Sequence, residues 1–117
     1  MGITRQQQGP RMSQIVIHGD TIYLAGNVAS QQEADTGAQT RDVLGKIDRL
    51  LEEAGSSKAH LLSATIYLAD IRDFAAMNEV WDAWVDPHNT PARTTVQAKL
   101  ARPSVRVEIT VVAAKPS

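Results

Sequence analysis

Two side chains near the end of the chain have the types and surroundings that acid–base chemistry on a small anion would need. Arg93 stands two residues after Pro91 in "TPARTTVQAKL", at the mouth of an alternating stretch. Glu108 lies in "VRVEITVVA" and is the only acidic residue from position 87 onward, where Arg93, Lys99, Arg102, Arg106 and Lys115 supply positive charge. A guanidinium offers a carboxylate two parallel N–H donors in a planar fork, whereas lysine offers only a point charge. Pro91 restricts the backbone just before that fork. A single carboxylate among cations suits a general base or a group that orients water. A cross-strand ion pair on a solvated face would leave the same residues in place, so the pattern alone keeps both readings open.

Other chemistries find fewer residues. There are no cysteines, hence no disulfide, thiolate nucleophile or sulfur-ligated metal. His18, His60 and His88 are far apart in sequence, without HExxH or spaced partners, so no metal site is expected. Neither GxxxxGK[ST] nor GxGxxG is present for a phosphate or dinucleotide, and no GxSxG for a serine nucleophile.

The elements that must position Arg93 and Glu108 can be read from periodicity. "QIVIHGDTIYLAGNVA" reads as two short strands around a Gly19-Asp20 turn. Val43, Leu44, Ile47, Leu50, Leu51 and Ala54 recur at helical spacing, and Gly55 fits a C-terminal cap, which predicts a helix of about 18 residues. In "HLLSATIYLAD", Leu62, Ala64, Ile66 and Leu68 alternate with Ser63, Thr65 and Tyr67. A second helix is expected from Asp73, with Phe74, Met77, Trp81 and Trp84 as a core-facing stripe. "RTTVQAKL" and "VRVEITVVA" flank the turn "ARPS" and predict an antiparallel hairpin. Val96, Ala98, Leu100, Val105, Val107, Ile109 and Val111 would then share one face. Arg93, Thr95, Gln97, Lys99, Arg106, Glu108 and Thr110 would share the other. The order β-β-α-β-α-β-β describes an α+β sandwich, a mixed sheet with two helices on one face. The uncovered face, with Ala25, Thr65 and Tyr67, is expected to mediate self-association.

At 117 residues the chain fits one domain, 1–117, with residues 1–13 read as a loosely ordered N-terminal segment. A net charge of -1 gives no global field for nucleic acid or anionic membrane. The start "MGITRQQQGPRMSQ" has no apolar run for a signal peptide, so a soluble cytoplasmic protein is expected.

The segment "TPARTTVQAKLARPSVRVEITVVAA" resembles the C-terminal signature of the RidA/YjgF family of reactive-intermediate deaminases. "IYLAGNVA" is similar to that family's early strand and glycine turn, and "DIRDFAAMNEVWDAWV" to its second helix. The helix and the "TVQAKL" pattern point to the YoaB-like branch, and the likeness runs from about Ile15 to Ala114. It implies a chorismate-mutase-like fold and a homotrimer with ligand sites in clefts between subunits. It also implies cofactor-free hydrolysis of 2-imino or 2-enamino acids to 2-keto acids and ammonia, an activity of the 2-iminobutanoate/2-iminopropanoate deaminase type. Through the resemblance, Arg93 is the carboxylate anchor, Glu108 the water- and proton-handling residue and Gly26 the glycine whose backbone meets the ligand. Thr95 takes the place of a frequent cysteine, and Met12 stands beside the position of a frequent aromatic over the ligand. The alternative is a non-catalytic or regulatory trimer that binds small carboxylates such as 2-keto acids. Ribonuclease activity, a label sometimes attached to the family, lacks a basic tract, a histidine pair and a stacking platform.

Overall fold

The computed structural model describes residues 2–116. Among them, seven strands form one mixed sheet: β1 Ile3–Gln8, β2 Ser13–His18, β3 Thr21–Leu24, β4 Asn27–Val28, β5 Leu61–Leu68, β6 Ala92–Gln97 and β7 Val107–Ala114. Two helices, α1 Thr36–Glu53 and α2 Phe74–Trp84, pack on one side. The strand order is β1-β2-β3-β7-β5-β6, with β4 paired to β7 beyond the end of β3. The α+β sandwich expected from periodicity is thus present, with two strands more than the pattern suggested. The stretch Ile3–Gln8, read as part of a loosely ordered segment, is instead an edge strand antiparallel to β2.

Helix α1 forms where its ends are satisfied. Asp35 accepts the Ala38 N–H at 2.9 Å, and Gly55, at φ +84°, takes the left-handed conformation just past the end. There the Ser56 N–H reaches Leu51 O and the Gly55 N–H reaches Glu52 O, a paired closure of the last turn that a Cβ at Gly55 would strain. Val43, Leu44, Ile47 and Leu51 are buried, each worth about 1.5–3 kcal/mol of apolar transfer. They meet Val107, Ile109, Val111 and Ala113, the alternate residues of β7, which are also buried. This central strand has one face in the core and one open, the arrangement that produces clean alternation.

Two expected faces shift. A bulge between Leu61 and Ser63 puts Leu61 in the core and leaves Leu62 half exposed. The expected β6–β7 hairpin is absent: β6 pairs in parallel with β5, and β5 lies between β6 and β7. Residues 98–106 therefore cross from the sheet edge to its centre. The fully buried Gln39 holds the end of that crossing, its Nε2 donating to Ser104 O at 3.0 Å and its Oε1 accepting the Arg106 N–H at 2.9 Å.

Candidate functional site

The parallel register sets where Arg93 points. Ala64 pairs with Arg93, Ile66 with Thr95 and Leu68 with Gln97. Paired residues in a ladder project to the same side, so Arg93, Thr95 and Gln97 face the helices along with the buried Ala64, Ile66 and Leu68. Val96, assigned to the core from its alternation, points to the helix-free side and is 40% exposed. On an edge strand beside α2, Arg93 turns inward, where α2 offers it partners.

Those partners hold the guanidinium from one helix. Arg93 Nη1 donates to Asn78 Oδ1 at 2.7 Å, and Arg93 Cζ lies over the rings of Trp81 and Phe74 at 5.4 and 5.7 Å. Cation–π contacts of this kind add about 0.5–2 kcal/mol each. The aromatic stripe of α2 is therefore only partly core: Met77 and Trp81 are buried, Trp84 is half-buried, and Phe74 is exposed beside the arginine. Two residues on, Thr95 Oγ1 is enclosed and has no hydrogen-bond partner among the described residues. The turn into α2 is braced as well, since Gln97 Oε1 accepts the Ile71 N–H and Asp70 pairs with Arg72 at 2.7 Å. That hydrogen-bonded guanidinium holds the Asp70 carboxyl at about 2, well below its usual value.

Glu108 belongs to a different surface. It pairs with Tyr67 across β5–β7 and with Val28 across β4–β7. Tyr67 lies three residues from Ala64, so Glu108 emerges on the face opposite Arg93. The expectation that the two share a face is thereby corrected, and the cause is the β5 strand between them. Glu108 lies against Gly26, where a Cβ would overlap its Oε2 and come within 3.1 Å of its carboxyl carbon. Gly26 thus leaves the space that the carboxylate fills. Gly26, Tyr67, Ala98, Lys99, Leu100, Glu108 and Thr110 line an open cleft of about 430 Å³, and Thr110 Oγ1 donates to Leu24 O at 2.9 Å.

One chain therefore carries two separate groups: Arg93 with Thr95 on the helix side, and Glu108 with Gly26 on the open side. Met12 joins neither; it is exposed in the turn that closes β1 onto β2, where its carbonyl accepts the Gly9 N–H. Sequence reasoning missed Asn78, and it named Lys99 only as a positive charge on the Glu108 face. The spacing of Phe74, Asn78 and Trp81, at i, i+4 and i+7, was the available signal for the first. A larger cleft, about 780 Å³, lies elsewhere, near the start of α1, where Glu33, Asp35, Asp73 and Glu79 mix with Arg41 and Arg106. No group of three His, Cys, Asp or Glu suited to a metal occurs among the described residues, nor a helix long and apolar enough to cross a membrane.

Comparison with known proteins agrees with this architecture. The family model described as Endoribonuclease L-PSP matches residues 5–115. The RutC family protein YoaB of Escherichia coli strain K12 is 49% identical over 114 residues, covering 97% of this chain and 99% of YoaB. A RutC family protein of Haemophilus influenzae is 45% identical, covering 97% of this chain and 98% of its own. The crystal structure of a YjgF family member from Neisseria meningitidis superposes with a TM-score of 0.96 at 50% identity, covering 100% of this chain and 98% of that one. With the order of strands, the chorismate-mutase-like sheet and near full-length identity in agreement, the chain belongs to the YjgF/RidA family, on its YoaB-like branch.

Proposed function

We propose that this protein hydrolyses 2-imino and 2-enamino acids to 2-keto acids and ammonia, without a cofactor, in clefts between subunits of a cytoplasmic homotrimer. Arg93 of one subunit binds the substrate carboxylate. Glu108 of the next handles water and protons, with the Gly26 backbone beside the ligand and Thr95 on the Arg93 side. The observation that carries this reading is the division of the site: one chain holds the anion anchor and the acid–base group on opposite faces of its sheet. Only a second copy can bring a Glu108 cleft to an Arg93. Exposed apolar side chains on the helix-free face, Tyr23 and Val96 among them, supply a surface for that contact.

The chemistry follows from those roles. An enamine first becomes the imine by taking a proton at carbon and giving one up from nitrogen. Glu108 accepts a proton from water as the water oxygen adds to the C=N carbon, and the nitrogen takes up a proton. The resulting carbinolamine passes its hydroxyl proton through Glu108 to the amino nitrogen, which leaves as ammonia while the C=O bond forms. Imines hydrolyse readily, so positioning by Arg93 and acid–base help by Glu108 need supply only about 10²–10⁴ in rate.

Stopped-flow assay of imines generated by an amino-acid oxidase tests the assignment. Arg93→Ala is expected to abolish activity, and Glu108→Gln to lower kcat about 10²-fold with little change in 2-keto acid affinity. Hydrolysis by Arg93→Ala at the parental rate would sink the reading. Undiminished turnover by Glu108→Gln would leave a carboxylate binder. The same preparations, incubated with a fluorescent RNA, are expected to leave it intact.

A further inference from the structure

We infer that Asn78 is a positioning residue whose neutrality matters: it aims the Arg93 guanidinium at a ligand carboxylate without consuming its charge. This rests on the reading of Arg93 as the carboxylate anchor. Phe74, Asn78 and Trp81 occupy one face of α2, and all three meet the same guanidinium. An arginine at a strand edge has several soft torsions, and ordering it costs up to about 2 kcal/mol of rotamer entropy. Protein arginines are commonly held by carboxylates, which fix the fork and neutralise it together. The ion pair among the described residues is Asp70–Arg72, and Arg93 is not part of one. Its hydrogen-bond acceptor is an amide oxygen, and its other contacts are ring faces, which attract a cation through their quadrupoles and carry no net charge.

Asn78 engages Nη1 alone. The guanidinium has five N–H donors, so the Nε and Nη2 positions stay available for a bidentate carboxylate. Packing alone would not call for an acceptor here, and asparagine is a poorer helix former than alanine or leucine. The helix spends that propensity on an acceptor for one nitrogen, placed between two rings two turns apart.

An aspartate at position 78 has nearly the same shape and opposite consequences, which supplies the test. Calorimetry on the full-length protein would compare 2-oxobutanoate with its uncharged amide, 2-oxobutanamide. The proteins are the parent, Asn78→Ala, Asn78→Asp and Arg93→Ala, with thermal melts alongside. Asn78→Asp is expected to melt at or above the parent, because it gains an ion pair with Arg93. It is also expected to bind 2-oxobutanoate about 30-fold more weakly, as that pair competes with the ligand. Its affinity for the amide should change far less. Asn78→Ala should lose about 10-fold for 2-oxobutanoate, about 1.4 kcal/mol, because the fork is freed but still charged. A purely structural role predicts the reverse order, with the isosteric aspartate closer to the parent than alanine.

Asn78→Asp binding 2-oxobutanoate as the parent does, while Arg93→Ala loses it, would overturn the positioning role and leave the anchor standing. Parental binding by Arg93→Ala would overturn both. Should the Asn78 variants fail to fold, Phe74→Leu at its exposed position carries the test. It is expected to weaken 2-oxobutanoate by about 3-fold and to spare the amide. Equal weakening of the two ligands would overturn the clamp.

Discussion

Arg93 sits on an edge strand and is gripped by three side chains of one helix, whereas Glu108 sits on a central strand and rests against a glycine. The first arrangement is dense and preassembled. The second is a carboxylate beside an open cleft, and its immediate environment was made by removing a side chain. The contrast fits the division of labour proposed for the two residues. Recognition needs a fork whose direction is fixed before the ligand arrives, since ordering it later would cost affinity. A proton-transfer group must instead meet water and a reacting atom, and it gains from space around it.

The strongest way to break this comparison is to separate its halves genetically. As pure proteins, Arg93→Ala should be inactive and Glu108→Gln should keep only about a hundredth of parental turnover. If the two residues act from different subunits, unfolding and refolding an equal mixture should restore about a quarter of parental activity, because a randomly mixed ring has that fraction of intact junctions. If both act within one chain, the mixture stays inactive.

A smaller effect sharpens the Glu108 side. Gly26→Ala places a methyl where the carboxylate rests, and Glu108 must turn away. Turnover is expected to fall about 10–100-fold while 2-oxobutanoate affinity, governed by Arg93, stays within about 3-fold. Parallel loss of both quantities would show that the two sides are not separable in this manner.

The smallest effect concerns acid. Asp70, at the turn that leads into α2, has a folded pKa of about 2 against an ordinary 3.8, owing first to its side-chain hydrogen bond with Arg72. The sign is that of a depressed carboxylate: its contribution is present above about pH 4 and is lost as pH falls through about 2. Asp70 is half-buried but its partner Arg72 is exposed, so solvent screening keeps the contribution slight. Melting curves of the parent and Asp70→Asn should differ modestly at pH 5 and converge towards pH 2. Imine turnover at pH 7 should be equal in both.

What could be read from residues follows the same division. β7 was legible because a central strand with one covered face writes its burial as alternation, and Val107 to Ala113 obey it. Helix α1 was legible because its spacing and terminal Gly55 act locally. β6 was not, because its partner is decided by topology: a strand that feeds into "ARPS" looks like half a hairpin until β5 is known to intervene. Its apolar and polar residues then exchange faces, and the shared face assigned to Arg93 and Glu108 fails with them. β1 carries Arg5 and three glutamines, so its pairing rests on backbone hydrogen bonds that leave little compositional trace. Asn78 escaped notice because a polar residue within a helix usually means solvent.

Arg93 and everything that braces it lie within residues 61–97, a strand, a helix and a returning parallel strand contiguous in the chain. The carboxylate and its glycine come from positions 26 and 108, near opposite ends. Exchange of genetic material between relatives could therefore carry the Arg93 module across whole, with its aim intact. Glu108 and Gly26 could change hands only along with most of the remaining protein.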